Sequence, residues 1–172
     1  MRDLFLHVVH TCMTAASIDR TLAVVGDDVG LALARQRGVT AVHDPGDGLN
    51  SALRHATAQL PADATSLIVV ADLPGVTGDD LDAIVAAGRV TPTVIVAPTR
   101  DGGTGALLRN PGAIIPPAFG GRSAAEHLAA AQAAGARAGL IVRPGLAHDV
   151  DRPADLDRYA GLVGGGWTRP PA

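Results

Sequence analysis

Short apolar runs that alternate with amphipathic segments constrain this chain of 172 residues more than any other feature of its sequence. Apolar runs of this kind are typical of parallel strands buried on both faces, and the segments between them supply helical crossovers. The runs assigned to strands are 22–26, 40–43, 66–71, 93–96 and 139–142. The sequence therefore predicts an α/β fold, with a mostly parallel sheet and helices on both of its faces.

Composition favours the same fold class, because the core must be built from aliphatic side chains. Apolar residues make up 47% of the chain but aromatic residues only 2%. The length is typical of one domain, so we expect a single domain over 1–163 and a flexible tail over 164–172. The helical spacing of apolar residues and the capping residues place helices at 3–16, 27–37, 49–60, 77–88, 123–135 and 153–163.

Charge and cysteine content exclude several classes of function. The net charge is −3 and the pI about 6.0, so there is no basic field for nucleic acid. No window approaches the roughly 18 apolar residues of a membrane span, and no signal-peptide cleavage pattern follows the N-terminus. The single Cys12 fits a reducing compartment, so we expect a cytoplasmic protein. His7, His10 and Cys12 are not interpreted as a metal site, because Cys12 lies on the apolar helix face.

The segment 97–126 contains two glycine-rich turns. The first, Arg100-Asp101-Gly102-Gly103-Thr104, follows the strand 93–96, and the second, Gly120-Gly121, precedes Ser123-x-x-Glu126. The latter pattern predicts a capping box at the start of a helix. Glycine-rich backbone and helix N-termini bind anions, which indicates a substrate with phosphate or carboxylate groups. Ordinary strand–loop–helix turns are the alternative interpretation of both segments.

Three carboxylates stand at predicted strand ends: Asp72, Asp149 and Asp151. A carboxylate at the end of a buried strand is costly unless it is paired or holds a cation. Asp149 and Asp151 are two residues apart in an extended segment, so their side chains share one face. Carboxylate oxygens are the ligands that Mg²⁺ prefers. The alternative is that Asp149 and Asp151 cap a helix beginning near Pro153.

Several motifs together resemble one protein family, the guanylyltransferases of coenzyme F-420 biosynthesis, which act on 2-phospho-L-lactate or phosphoenolpyruvate. The resemblance covers the chain from about Leu22 to Leu156, and its most specific part is Arg-Asp-Gly-Gly-Thr with Phe-Gly-x-x-Ser downstream. The matching motifs, in chain order, are Asp44-x-x-x-Gly48-Leu49-Asn50, Ala71-Asp72-Leu73-Pro74, Arg100-Asp101-Gly102-Gly103-Thr104, Phe119-Gly120-x-x-Ser123 and Asp149-Val150-Asp151.

The resemblance implies a three-layer, Rossmann-like nucleotidyltransferase fold and a reaction that joins GTP to a phosphorylated three-carbon acid and releases pyrophosphate. By this resemblance Asp72, Asp149 and Asp151 would hold Mg²⁺ and form the catalytic centre. Arg100, Thr104, Gly120 and Ser123 would bind the acid substrate. Gly48 and Asn50 would lie near the guanine nucleotide. The choice between phosphoenolpyruvate and 2-phospho-L-lactate stays open, although the lysine-free, Ala- and Arg-rich composition suggests a high-GC bacterium and hence phosphoenolpyruvate.

The chain departs from the family pattern in two places. Family members begin with a strand and a lysine- and arginine-containing loop that grips the triphosphate, whereas this sequence begins on the following helix and contains no lysine. We therefore expect a gap in the sheet, which a partner chain in a homodimer could cover. In addition, Gly105 stands where the family has asparagine.

Two other functions remain as alternatives. One is a nucleotidyltransferase with a different acceptor, such as a molybdopterin or a sugar phosphate, against which the Arg-Asp-Gly-Gly-Thr segment argues. The other is a non-catalytic or truncated homologue that binds a phosphorylated acid without turnover. The departure at the N-terminus argues for this second alternative.

Overall fold

The computed structural model describes residues 2–44 and 46–150. Its helices are α1 (Arg2–Thr14), α2 (Asp28–Gln36), α3 (Leu49–Thr57), α4 (Gly78–Ala87) and α5 (Ser123–Ala133). Its strands are β1 (Leu22–Val25), β2 (Thr40–His43), β3 (Ser66–Val69), β4 (Thr93–Pro98), β5 (Thr104–Asn110) and β6 (Arg137–Leu140). The predicted helix 153–163 and tail 164–172 lie outside the described residues.

The strands form two sheets. β1 and β2 pair in parallel, and the larger sheet has the order β3-β5-β4-β6. β3, β4 and β6 run in one direction, while β5 is antiparallel to both of its neighbours. The α/β prediction is confirmed, but the sequence analysis did not assign β5. The first glycine-rich turn is therefore the loop of a β4–β5 hairpin and does not lead into a helix.

Helices cover both faces of the larger sheet, as expected of a three-layer fold. Alternate β4 side chains point to opposite faces. Val94 and Val96 pack in one buried cluster with residues of α5, and Ile95 and Ala97 pack in another with residues of α1 and α4. All four β4 residues are buried, so the small aliphatic core predicted from composition is present on both faces of the sheet.

A cavity of about 760 Å³ lies between the two sheets in the part of the chain that the structure describes. Its walls are formed by α1, α3 and the facing strands β1 and β3, and are largely apolar. Asp72, which follows β3, also lines this cavity. Within the described residues, the two sheets are not hydrogen-bonded to each other.

Local capping accounts for the positions at which two helices begin. The Asp27 carboxylate accepts a hydrogen bond from Gly30 N at 2.6 Å, and Thr77 and Asp80 form a reciprocal capping box at α4. Both caps confirm the sequence prediction. None of the helices in the described residues is long and apolar enough to cross a lipid bilayer.

The capping box predicted at Ser123 and Glu126 is wrong. Arg122 occupies the N-cap position of α5, Ser123 is the first helical residue, and no side chain caps the helix. The Ser123 hydroxyl instead hydrogen-bonds to Thr104 Oγ1 at 2.9 Å. A tertiary contact has therefore replaced the local one, and it links α5 to the first residue of β5.

Candidate active site

One edge of the larger sheet collects most of the residues that the sequence analysis selected. Asp72 follows the carboxyl end of β3, Arg100 follows that of β4, and Thr104 begins the antiparallel β5 at the same edge. The segment 141–150 follows β6 and returns to this edge. Ligands in α/β sheets bind at the carboxyl ends of the parallel strands, so this edge is the candidate active site.

A backbone contact brings the segments that carry Asp72 and Asp149 side by side. Val150 N donates to the Asp72 carbonyl oxygen at 3.0 Å, so the neighbouring Asp149 lies beside the end of β3. Asp72 and Asp149 are both half-buried. Asp151 lies outside the described residues. Within residues 2–44 and 46–150, no group of three or more His, Cys, Asp or Glu side chains forms a metal site.

A short 3₁₀ turn, Pro144–Leu146, fixes the path of the segment that leads to Asp149. Before the turn, Arg143 Nε donates to Asp80 Oδ1 at 2.7 Å. After it, Arg100 N donates to the Ala147 carbonyl oxygen at 3.0 Å. These contacts connect the segment to α4 and to the β4–β5 loop, and the Val150–Asp72 bond connects it to the residues after β3. The three contacts together define the path of the backbone at Asp149.

Gly105 and Gly145 make this packing possible because their neighbours leave no room for a side chain. A Cβ atom at Gly105 would lie 2.3 Å from the Leu146 carbonyl oxygen, and one at Gly145 would lie 2.3 Å from the Gly75 carbonyl oxygen. Both contacts are with backbone, which cannot rotate away. Gly105, which departs from the family pattern, therefore lies where the 3₁₀ turn packs too closely against β5 to admit a side chain.

Thr104 and Ser123 form a buried polar cluster with His127. Their hydroxyl oxygens are 2.9 Å apart, and Thr104 Oγ1 is 3.1 Å from His127 Nδ1. The other ring nitrogen, Nε2, accepts a hydrogen bond from Ala118 N at 2.9 Å. The Phe119 ring packs edge-on against the imidazole at a centroid distance of 5.2 Å. The cluster thus joins β5, α5 and the loop 116–121.

Gly120 lies in the same loop and is exposed. Among the described residues, a Cβ atom at Gly120 or at Gly121 would have no neighbour within 4 Å, so these positions leave room at the N-terminal end of α5. Ser123 N donates to the Gly120 carbonyl oxygen at 3.1 Å. The loop is therefore held next to the buried hydroxyl pair while its glycines face open space.

Asn50 connects the first residues of α3 to this loop. Its Nδ2 donates to the Phe119 carbonyl oxygen at 3.0 Å, and its Oδ1 accepts from Phe119 N at 2.7 Å. Gly48, the N-cap of α3, is exposed with φ +87, a conformation that favours glycine. The two residues expected near the nucleotide thus lie at one helix N-terminus, and Asn50 pairs with the loop that carries Gly120.

Two charged residues of the first glycine-rich turn differ in their surroundings. Arg100 is exposed, and its backbone N–H donates to the Ala147 carbonyl oxygen. Asp101 accepts hydrogen bonds from the Thr99 hydroxyl and from Gly103 N, which lower the pKa of its carboxyl group. The Asp101 carboxylate therefore orders the hairpin loop from within.

Sequence analysis missed His127 altogether. It lies four residues after Ser123 in α5, so both side chains occupy one helix face. A single histidine in an alanine-rich helix carries no motif, although the spacing from Ser123 was a signal that could have indicated it. Burial, with a smaller contribution from the charge of Arg109, lowers the pKa of His127 to about 4.

The His127 pKa predicts a pH dependence of stability. Unfolding returns this pKa from about 4 to its ordinary value of 6.5, so the unfolded chain binds more protons between these values. The contribution of neutral His127 to the free energy of unfolding is therefore fully present above pH 6.5. About 3 kcal/mol of it is lost as the pH falls from 6.5 to 4. Urea unfolding at several pH values measures this loss.

His127→Gln should flatten this part of the pH profile, whereas His55→Gln, at an exposed histidine of α3, should retain it. Burial also lowers the pKa of His7, and that contribution should remain in both variants. An unchanged slope in His127→Gln would contradict the assignment to His127.

Comparison with known proteins identifies the family and supports the fold. Residues 2–149 match the model of the MobA-like NTP transferase domain. This chain belongs to that family. Among its curated relatives is a phosphoenolpyruvate guanylyltransferase of Sphaerobacter thermophilus, 39% identical over 90% of this chain and 76% of the relative. Another is a 3-phospho-D-glycerate guanylyltransferase of Phenylobacterium zucineum, 35% identical over 74% of this chain and 61% of the relative.

Solved structures show the same fold as this MobA-like nucleotidyltransferase. A 4-diphosphocytidyl-2C-methyl-D-erythritol synthase has a TM-score of 0.70 at 15% identity, over 93% of this chain and 90% of that one. A CMP:2-keto-3-deoxy-manno-octonic acid synthetase complexed with CTP has a TM-score of 0.65 at 14% identity, over 92% of this chain and 86% of that one. The recognition of a guanylyltransferase family and the Rossmann-like fold predicted from the sequence are both confirmed.

Proposed function

We propose that this nucleotidyltransferase joins GTP to phosphoenolpyruvate and releases pyrophosphate, as a step of coenzyme F-420 biosynthesis. The observation that carries the proposal is the Thr104–Ser123 hydroxyl pair, which lies beside Gly120 at the same sheet edge as Asp72 and Asp149. The names of the guanylyltransferase relatives support the reaction class and a phosphorylated acid as the acceptor.

The acid binds, in this proposal, where β5, α5 and the loop 116–121 meet. The Thr104–Ser123 hydroxyl pair donates one hydrogen bond to its carboxylate or phosphate oxygens, and the backbone at Gly120 approaches it closely because the glycine has no side chain. Arg100, exposed at the end of β4, adds a positive charge to this edge. Backbone N–H groups at the N-terminus of α5 favour an anion here.

Mg²⁺ is the metal that suits the donor set. Asp72 and Asp149 offer hard carboxylate oxygens, and the backbone bond between Val150 and Asp72 brings the two segments together. Asp151 is the third proposed ligand. When bound, the ion would neutralise negative charge on the reacting phosphates.

The nucleotide lies, in this proposal, beside Gly48 and Asn50 at the N-terminus of α3. An oxygen of the acid's phosphate attacks the α-phosphorus of GTP, a new P–O bond forms, and the bond from the α-phosphorus to the bridging oxygen breaks with loss of pyrophosphate. The protein contributes mainly by holding the two reactants in line, which supplies about 7–11 kcal/mol in well-oriented reactions. This direct transfer needs no covalent nucleophile from the protein.

Pyrophosphate release from GTP with Mg²⁺ tests this function. We expect release that depends on phosphoenolpyruvate, and comparison with 2-phospho-L-lactate, 3-phospho-D-glycerate and no acceptor identifies the acid. The 3-phospho-D-glycerate arm is included because a relative named for that acid matches 74% of the chain. A GTP-dependent shift in melting temperature, measured in parallel, reports nucleotide binding independently of turnover.

Other results would overturn the proposal in distinct ways. Release with 3-phospho-D-glycerate alone would keep the enzyme class and replace the acid. Binding of an acid without release under any condition would favour the non-catalytic homologue considered from the sequence. Release with a molybdopterin or sugar phosphate alone would assign a different acceptor.

A further inference from the structure

We propose that His127 is a positioning residue that leaves the Thr104–Ser123 pair with one hydroxyl proton to donate to an anionic ligand. The inference deepens the proposed function and rests on it for the identity of the ligand. It follows from the hydrogen bonds of the imidazole ring, which fix where the ring carries its proton.

The acceptor role of Nε2 is fixed by the backbone. Ala118 N always carries a hydrogen, and it points to Nε2 at 2.9 Å. Nε2 must therefore present its lone pair, because a proton on this nitrogen would face the N–H group directly. The ring is thus neutral, and its single N–H lies on Nδ1.

The Nδ1–H group then donates to Thr104 Oγ1, 3.1 Å away. His127 is completely buried, with 0% of its surface exposed, so the ring cannot exchange this partner for water without moving. The Phe119 ring, packed edge-on against the imidazole, further restricts rotation. The fold therefore fixes the tautomer of His127. The Ala118 N–H group keeps Nε2 unprotonated, and the proton on Nδ1 is donated to Thr104 Oγ1.

The number of hydroxyl protons left over in the pair decides whether it can donate a hydrogen bond to a ligand. Thr104 and Ser123 carry two hydroxyl protons, and one of them forms the 2.9 Å bond between the two oxygens. His127 supplies its own proton to Thr104, so it takes none from the pair. Neither hydroxyl makes a further hydrogen bond within residues 2–44 and 46–150, and one proton remains to donate outward.

The opposite tautomer would reverse this result. A ring protonated at Nε2 would present a lone pair at Nδ1, and Nδ1 would accept the second hydroxyl proton. The pair would then offer only lone pairs to a ligand, which would repel a carboxylate or a phosphate. His127 therefore makes the site selective for anions without touching the ligand itself.

Two substitutions separate the functions of the two ring nitrogens. An asparagine side chain places its amide near the Nδ1 position, and a glutamine side chain places its oxygen near Nε2. His127→Asn can thus donate to Thr104 but loses the Ala118 contact. His127→Gln can accept from Ala118 but loses the donor to Thr104. The two variants are matched in chemistry and differ in which bond they preserve.

We expect His127→Gln to raise the KM for the acid by about tenfold to a hundredfold, the loss typical of one hydrogen bond to a charged group. His127→Asn should recover most of that loss, and both variants should change the KM for GTP by less than about threefold. A merely structural role predicts a different result. Because His127→Asn loses the Ala118 contact, it would then have the higher KM for the acid, or the KM values for acid and GTP would rise equally. That outcome would overturn the inference.

A measurement on the unmodified protein avoids any dependence on variants that fold poorly. ¹⁵N spectra of histidine-labelled protein at pH 7 distinguish an imidazole protonated at Nδ1 from one protonated at Nε2 and from a charged ring. The His127 signals are assigned as those that disappear from the spectra of His127→Gln or His127→Asn. A Nε2–H or a doubly protonated ring would refute the proposal.

Failure of the inference and failure of the proposed function are distinguishable. The tautomer is read from the protein alone, whether or not any acid is a substrate. If the ring carries its proton on Nδ1 but no acid supports pyrophosphate release, the proposed function fails and the geometry stands. If release depends on an acid but the ring is protonated at Nε2, the function stands and the positioning role fails.

Discussion

Asp72→Asn is expected to reduce Mg²⁺-dependent pyrophosphate release by at least about 100-fold, because stabilisation of phosphate charge by a bound metal contributes several kcal/mol. The substitution keeps the size of the side chain and removes one negative charge from the proposed metal site. Initial rates at increasing Mg²⁺ concentration measure the effect. We expect the concentration required for half-maximal release to rise as well.

The matched control is Asp63→Asn, at an exposed carboxylate that precedes β3. It removes the same charge near the amino end of β3, opposite to the end that Asp72 follows, so activity should stay within about twofold. Melting temperatures of both variants should remain close to that of the unmodified protein. Unchanged turnover in Asp72→Asn would refute the assignment of Asp72 as a metal ligand.

Gly105→Ala is expected to destabilise the protein by about 1–3 kcal/mol or more, because its Cβ atom would overlap the Leu146 carbonyl oxygen at 2.3 Å. The Gly105 carbonyl oxygen accepts a hydrogen bond from Val70 N at 3.1 Å, so β5 cannot shift freely to relieve the overlap. The 3₁₀ turn must move instead. A melting temperature about 2 to 12 °C lower is the corresponding thermal shift.

Displacement of this turn should also impair activity, since it leads directly to Asp149. We expect Gly105→Ala to lose pyrophosphate release even at temperatures where it is fully folded. Gly26→Ala is the control, because a Cβ atom at Gly26 meets no atom within 4 Å. It should change stability by less than about 0.5 kcal/mol. A Gly105→Ala protein as stable and active as Gly26→Ala would show that the 3₁₀ turn adapts at no cost.

The fold was largely predictable from the sequence, and the exception has a physical cause. Alternating apolar runs and the caps at Asp27 and Thr77 are local signals, and each led to the element that the structure contains. β5 was missed because its glycine-rich beginning resembles a turn that leads into a helix. Pairing with β3, which is distant in sequence, and with β4 across the hairpin makes Thr104–Asn110 a strand.

The candidate site was also predictable only in part, and the division is again between local patterns and long-range contacts. The residue types that suit an anion and a metal, from Asp72 to Ser123, were identified from motifs and from family resemblance. Their roles as ligands remain predictions. What the motifs could not indicate is the bond between Thr104 and Ser123, which overrode a local capping pattern, or the link from Asn50 to Phe119. Both join segments whose spacing in sequence carries no signal.

The sequence by itself determined the class of fold, the family and the chemical types present at one sheet edge, because apolar periodicity, capping residues and motifs are encoded in neighbouring positions. The tertiary structure alone decided which hydroxyl meets which ring nitrogen, why position 105 has no space for a side chain, and how Asp149 is brought to Asp72. These properties depend on contacts between residues far apart in the chain. Close packing of backbone against backbone and the direction of single hydrogen bonds settle them.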